Sequence, residues 1–284
     1  MNENEKILYG TKLSVFGGIK KELSINKYLY ILAIPVVLYY LLFCYGPMSG
    51  IVIAFKNYQI SEGIFGSEWV GFKYFIEFFE GMYFSRTLRN TLLISLYDII
   101  WGFPIPIIFA LMINEIGNLK FKKLVQTATY LPHFISMIVV CGMIVDFFSK
   151  DGVITRFLAL FGAEQMDYMG SAAHFRSIYV GTNIWQSFGW NSIIYIAAIS
   201  GIDQQLYEAA RIDGAKRLRQ TWHITLPGIA PTIILMFVLR LGSVLSIGAD
   251  KVILLYNPGT METADIISSY VYRMGIGGAR YSYS

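Results

Sequence analysis

Five runs of about 20 mostly apolar residues constrain this chain more than anything else in it, because about 20 residues of helix cross the hydrocarbon core of a bilayer. They lie at 28–46, 91–113, 128–148, 177–199 and 230–248 of the 284 residues. In lipid every backbone group must be satisfied within its own segment, so runs this long read as helices. Composition agrees. Apolar residues make up 55% of the chain and charged residues 15%, and the mean hydropathy is +0.51. The expected fold class is therefore all-α, a multi-pass transmembrane helical bundle.

The small net charge of +4 comes from basic residues scattered through loops, with no stripe to track a phosphate backbone. Cys44 and Cys141 each sit inside an apolar run, where a thiol behaves as a small hydrophobe. His133, His174 and His223 are far apart, so no metal site is readable. Five lysines, Lys6, Lys12, Lys20, Lys21 and Lys27, precede the first run. No A-x-A cleavage signal follows, and the run is long enough to span, which points to an uncleaved first helix.

Orientation follows from the density of lysine and arginine. The segments before span one, between spans two and three and between spans four and five hold twelve basic residues in roughly 70 positions, against ten in roughly 100 for the opposite set. The denser set is expected in the cytoplasm, which makes residues 1–27 a cytoplasmic N-terminal segment ahead of a membrane domain at 28–284. The aromatic stretch at 58–84 fits interfacial elements on the other side. Five spans from an internal N-terminus leave the stretch after span five outside, and that odd count points to a missing sixth span.

Within the spans, polar residues are expensive and tend to face a cavity or a partner helix. In span four Asn183, Gln186 and Trp190 recur at steps of three and four on one face, with Asn191 beside them. Amides beside an aromatic plate suit sugar hydroxyls and ring faces, and equally suit hydrogen bonds that hold a bundle together. Asp98, with Asn90 and Arg89 about two turns before it, reads as a gate or an intramembrane pair. Arg240 needs an acidic or carbonyl partner, for which Asp98 is a candidate. Pro35, Pro104 and Pro106 are expected to kink their helices.

One polar insert interrupts this pattern, "DQQLYEAARIDGAKRLRQTWHITLPG" at 203–228. Asp203 can cap a first short helix, Leu206, Ala209 and Ala210 form a small-residue face, and Gly214 can end it in the left-handed region. A second, basic helix carries Lys216, Arg217 and Arg219 and is closed by Pro227. The expected product is a cytoplasmic helix-turn-helix elbow, able to receive a partner's backbone or to lie on lipid headgroups.

The register of Glu208, Ala209, Ala210, Gly214, Ile224, Leu226 and Pro227, with Asp213 before the glycine, resembles the signature of the membrane subunits of binding-protein-dependent ABC importers. The likeness runs over residues 25–284, through "YLPHFIS", "LLYNP" and "YVYRMGI", and is nearest to maltose-type carbohydrate permeases of the complex oligosaccharide and polysaccharide branch. It implies a type I importer permease domain at 28–284 with its coupling elbow at 203–228. The site residues it implies are Glu208, Ala209, Ala210, Asp213 and Gly214 as docking residues, with Arg211 and Lys216 as charged neighbours. The implied partners are a P-loop ATPase dimer that binds ATP and Mg, a second permease subunit, an extracytoplasmic solute-binding protein and a carbohydrate, in a bacterial cell membrane with the N-terminus inside.

The chain has no G-x-x-x-x-G-K-[ST] phosphate loop, so it is expected to bind no cofactor and to catalyse nothing itself. A permease for a non-sugar solute remains an alternative, as does a receptor or scaffold that docks a cytoplasmic protein without transport. No cluster of nucleophile, metal ligands or paired carboxylates supports a membrane enzyme, and no internal repeat supports an ion-coupled carrier.

Overall fold

The structure, a computed structural model, describes residues 25–246 and 248–284. Lys6, Lys12, Lys20 and Lys21, and with them most of the expected 1–27 segment, lie outside the described residues. Two compact units divide the chain after Tyr74.

In the first unit, helix α1 (Lys27–Phe55) is 29 residues long, and its most apolar stretch buries none of its residues in the chain. At about 1.5 Å per residue it exceeds the ~30 Å apolar thickness of a bilayer and is long enough to cross it. A short antiparallel hairpin follows, with β1 (Lys56–Asn57) paired to β2 (Glu68–Trp69). The hairpin is closed by the Phe55 and Trp69 rings, stacked 5.7 Å apart, and by Lys56 Nζ donating to the Ile64 carbonyl at 2.8 Å. Helix α2 (Lys73–Glu80) leads out of this unit.

The second unit is built from α3 (Phe84–Asn114), α4 (Leu119–Phe134), α5 (Met137–Ala159), α6 (Ala172–Ser200), α7 (Gln204–Ile212) and α8 (Arg217–Gly242), then α9 (Ala249–Leu255) and α10 (Ile267–Tyr272). Helices α3 and α6 run side by side in the same direction: Arg176 near the start of α6 bonds Asn90, and Asn183 a further two turns on bonds Asp98. Helix α8 runs the opposite way, from Ile229 packed on Tyr195 and Ile199 to Arg240 paired with Asp98. Two apolar clusters fill the contacts. One gathers Ile94, Val140, Phe175, Tyr179 and Val252, and the other Ile107, Ala110, Tyr195, Ile199 and Ile229.

The spans differ from the sequence reading in three places. The third apolar window is not one helix, because α4 and α5 meet at 99°. Ile135 and Ser136 are extended there, and the Ser136 hydroxyl accepts from the Val139 N–H to start α5 afresh. The fourth window lies in α6, whose 29 residues are long enough to span, although α6 is not among the helices apolar enough to do so by composition. Its Asn183 and Gln186 amides and its Gly189 meet neighbouring elements instead. At Gly189, for example, a Cβ would collide with the Thr129 carbonyl, so glycine is what allows α4 and α6 to cross so closely. The fifth window ends as a helix at Gly242 and turns through Ser243.

Three prolines sit two residues behind a turn widened to the π-helical pattern. Pro47 follows Tyr40–Tyr45, Pro104 follows Asp98–Gly102, and Pro227 follows Thr221–Thr225. Proline lacks an N–H and its ring clashes with the carbonyl four residues back, and a wider turn upstream moves that carbonyl aside. For this reason the elbow's second helix does not stop at Pro227, as the sequence suggested, but continues unbroken from Arg217 to Gly242.

Candidate functional site

The elbow takes its shape from local chemistry. Asp203 caps α7, its carboxylate accepting from the Gln205 N–H at 2.9 Å. At the other end Gly214 has φ +75°, a conformation that costs an L-residue roughly 1–2 kcal/mol. The Ala215 N–H reaches the Ala210 carbonyl at 2.8 Å and the Gly214 N–H the Arg211 carbonyl at 3.0 Å. These two bonds form the Schellman closure that satisfies the last carbonyls of a helix.

Glu208, Ala209, Arg211, Asp213, Gly214 and Lys216 are all exposed and Ala210 is half-buried. Leu206, Ile212 and Leu218 are also exposed, Ile212 by 88%, so the tip presents apolar side chains between charges. What holds this tip in place was not singled out in the sequence. Tyr207 is buried, and its hydroxyl lies 2.9 Å from Thr225 Oγ1 on α8. Gln220 donates to the Ala215 carbonyl at 2.7 Å. Arg217 reaches the Glu115 backbone carbonyl at 3.2 Å and its carboxylate at 3.7 Å, tying the elbow to the end of α3. The one aromatic residue in the nine-residue helix QQLYEAARI was the available signal.

The polar residues of the spans fall into two groups. Asp98 and Arg240 form an ion pair between α3 and α8, and Asn183 of α6 donates to the second Asp98 oxygen at 2.7 Å. The pairing raised by the sequence is therefore present, and it joins three helices. Cavities of about 270 and 250 Å³ lie against this triad, and Asp98 and Arg240 line both. Asn191 and Tyr195 line the smaller cavity, while Asp250 and Lys251 line the larger. Lys251 is buried, donating to Thr182 Oγ1 at 3.1 Å with its charge 5.0 Å from the centre of the Tyr179 ring.

Gln186 and Trp190 belong elsewhere. Gln186 is buried against the Ile135 carbonyl, and Trp190 stacks on His133 of α4, 4.6 Å apart and 6° from parallel. The expected single stripe of Asn183, Gln186, Trp190 and Asn191 is thus split over two flanks of α6. Among the described residues, no three His, Cys, Asp or Glu side chains gather to hold a metal ion.

A third polar centre lies at the end of α3 farthest from the elbow. The Asp265 carboxylate, fully buried, accepts two bonds from Arg273 at 3.1 and 2.8 Å and one from Arg86 at 3.0 Å. Ser269 adds a fourth at 2.9 Å. Its bonds to the Asp265 carboxylate hold the Arg273 guanidinium above its usual pKa. Asn90 binds the Glu262 and Asp265 carbonyls at 2.9 Å each. These bonds clasp the stretch after span five onto the start of α3.

An exposed capped elbow at one end of a helical unit, with Asp98 and Arg240 lining cavities between apolar helices behind it, is an arrangement suited to a membrane transport subunit. The chain belongs to the family of binding-protein-dependent transport system inner membrane components, whose profile matches residues 78–279. It is 44% identical to protein LplB of Bacillus subtilis (strain 168) over 97% of this chain and 86% of that protein. It is 45% identical to the polygalacturonan/rhamnogalacturonan transport system permease protein YteP of the same organism, over 91% of this chain and 81% of that one. Among solved structures it matches a chain of a bacterial ABC transporter that imports the acidic polysaccharide alginate. There the TM-score is 0.86 at 42% identity, over 93% of this chain and 90% of that one. A chain of the alginate transporter in complex with an alginate pentasaccharide-bound periplasmic protein matches with a TM-score of 0.85 at 42% identity, over 93% and 88% of the two chains. The protein is a multi-pass ABC importer permease subunit with an all-α fold.

Proposed function

We propose that this subunit forms half of the translocation pathway for an oligosaccharide, a fragment of a larger polysaccharide. In this reading the elbow seats in a groove of a cytoplasmic P-loop ATPase, the N-terminus is cytoplasmic, a second permease supplies the other half of the pathway, and an extracytoplasmic binding protein delivers the solute. ATP and Mg belong to the ATPase partner. The solute class draws on the carbohydrates named for the relatives.

The observation that carries the coupling role is the rigidity of the elbow joined to its reach. Glu208, Ala209, Ala210, Asp213 and Gly214 lie on a tip fixed by the Schellman closure, Tyr207 and Arg217. The same tip leads into a helix that runs without a break from Arg217 to Arg240. Those 23 steps span about 35 Å at 1.5 Å each. Displacement of the elbow by a closing ATPase dimer would therefore move Arg240 relative to Asp98 and reshape the cavities on either side of the pair. A packed interface of this kind has discrete arrangements rather than a continuum. Arg211 and Lys216 would set the orientation of docking by charge, while Asn183 and Asn191 would offer amides to solute hydroxyls. Gln186 and Trp190 would support α4.

The test is Glu208→Lys in the assembled importer. The variant should fold and insert, since Glu208 is exposed, yet lose either ATPase assembly or the coupling of ATP hydrolysis to uptake. Unchanged uptake with stoichiometric ATPase would remove the elbow from the coupling path.

A further inference from the structure

Beside the Asp265 clasp lies a cavity of about 370 Å³ lined by Arg86, Arg89, Asn90, Arg176, Glu262 and Thr263, among others. That volume falls in the ~300–1,000 Å³ range of small-molecule sites. Its charge is unbalanced. Arg86, Arg89, Arg176 and the adjoining Arg273 face only Glu262 and Asp265, and Asp265 is already occupied by Arg86 and Arg273. Among the described residues, neither Arg89 nor Arg176 has a carboxylate within ion-pair distance.

The donors are unsatisfied as well. Arg176 spends one Nη2 bond on Asn90 Oδ1 at 2.7 Å, but its Nε–H and that of Arg86 are buried with no acceptor. A buried charged donor left unpaired is costly, so such groups normally have a partner. Planar guanidinium forks pair bidentately with carboxylates and phosphates, to which they give short, charge-assisted bonds.

The cavity also stands in line with Asp98 and Asn183, which border the route proposed above. Arg86, Asn90, Ile94 and Asp98 recur every four residues on α3, and Asn90 lies about 12 Å along the helix from Asp98. Arg176 and Asn183 bond those same two α3 residues from α6. From these observations we infer that the Arg86–Arg89–Arg176 cavity is a carboxylate-binding subsite at the entrance to the pathway, taking the carboxylate of a uronic acid unit of the transported oligosaccharide. This rests on the carbohydrate reading above and narrows it to acidic sugars.

The experiment uses the purified importer complex and the arginine reagent phenylglyoxal, with labelling of Arg89 and Arg176 followed by mass spectrometry. Saturating galacturonate should slow labelling of both about tenfold by mass action, and galactose should not. No protection by galacturonate, equal protection by inorganic phosphate, or protection only by added binding protein would each overturn the proposal. The last of these would make the cavity a protein-docking surface.

In reconstituted vesicles, Arg89→Gln should raise the KM for galacturonate-trimer uptake about tenfold, equivalent to about 1.4 kcal/mol of binding. Because Arg89 is exposed and unpaired, the variant keeps its fold, and Arg89→Lys should recover part of the loss. An unchanged KM would also sink the subsite. If the unaltered complex drives no carbohydrate uptake at all, the functional reading fails, and the labelling experiment still decides whether the cavity binds a carboxylate.

Discussion

Tyr207 and Thr225 share a buried hydrogen bond of 2.9 Å that fastens the underside of the elbow to the start of the fifth span. Neither residue lies at the exposed tip, and their bond ties α7 to α8 beneath it. Tyr207→Phe leaves the Thr225 hydroxyl buried without its partner, a loss of about 1–3 kcal/mol. The expected outcome is an assembled importer with a lower thermal inactivation temperature and a raised ratio of ATP hydrolysed to solute moved. Wild-type coupling in a fully assembled Tyr207→Phe complex would show that the bond does not govern the elbow.

Gly214 offers a cleaner separation of shape from bulk. A Cβ built at this position meets nothing within 4 Å, so a substitution is opposed by φ +75° alone. Gly214→Val should therefore weaken ATPase assembly through loss of the left-handed turn, and Gly214→Asn should largely preserve it, since asparagine tolerates that region. Co-purification of the ATPase with each variant checks the order. If Asn and Val are equally harmful, contact with the partner rather than backbone geometry is what the glycine serves.

The ion pair across α3 and α8 predicts strong asymmetry between single and double changes. Arg240→Gln leaves the buried Asp98 carboxylate without its countercharge, at a cost of about 3–5 kcal/mol. The double variant Asp98→Asn with Arg240→Gln removes both charges and should recover most of that stability. Thermal unfolding of the detergent-solubilised complex reads the difference. Additive effects of the two substitutions would mean that the charges do not act as a pair.

Asp265 should be among the least replaceable residues in the chain. Asp265→Ala frees two guanidiniums and the Ser269 hydroxyl together, with an expected loss on the order of 3–5 kcal/mol. Limited proteolysis should then cut the stretch after residue 249 sooner than in the parent. Equal protease resistance would mean that the clasp is held by apolar contacts alone.

Legibility in the sequence followed the range of the interaction. The elbow was readable because its cap, its small residues and its glycine all act within a dozen positions. The apolar windows were readable for the same reason, yet the break between α4 and α5 was missed although Pro132 and Ser136 stood in the window, because hydropathy outweighed those two stop and start signals. The split of the α6 stripe depends on residues remote in sequence. His133 captures Trp190 and Asp98 captures Asn183, and one helix face carries no mark of which neighbour each flank will meet. The Asp265 clasp joins positions 86, 90 and 265, and local pattern contains nothing about such a link.

The parallel course of α3 and α6 also has a temporal side. Asn183 leaves the ribosome 85 residues after Asp98, and Arg240 comes later still. At synthesis rates of about 5–20 residues per second, the carboxylate waits roughly 4–17 s for its amide and longer for its countercharge. Throughout that interval Asp98 must be protonated, hydrated or sheltered by the insertion machinery, so the nascent chain passes through a stage whose electrical needs differ from those of the finished subunit.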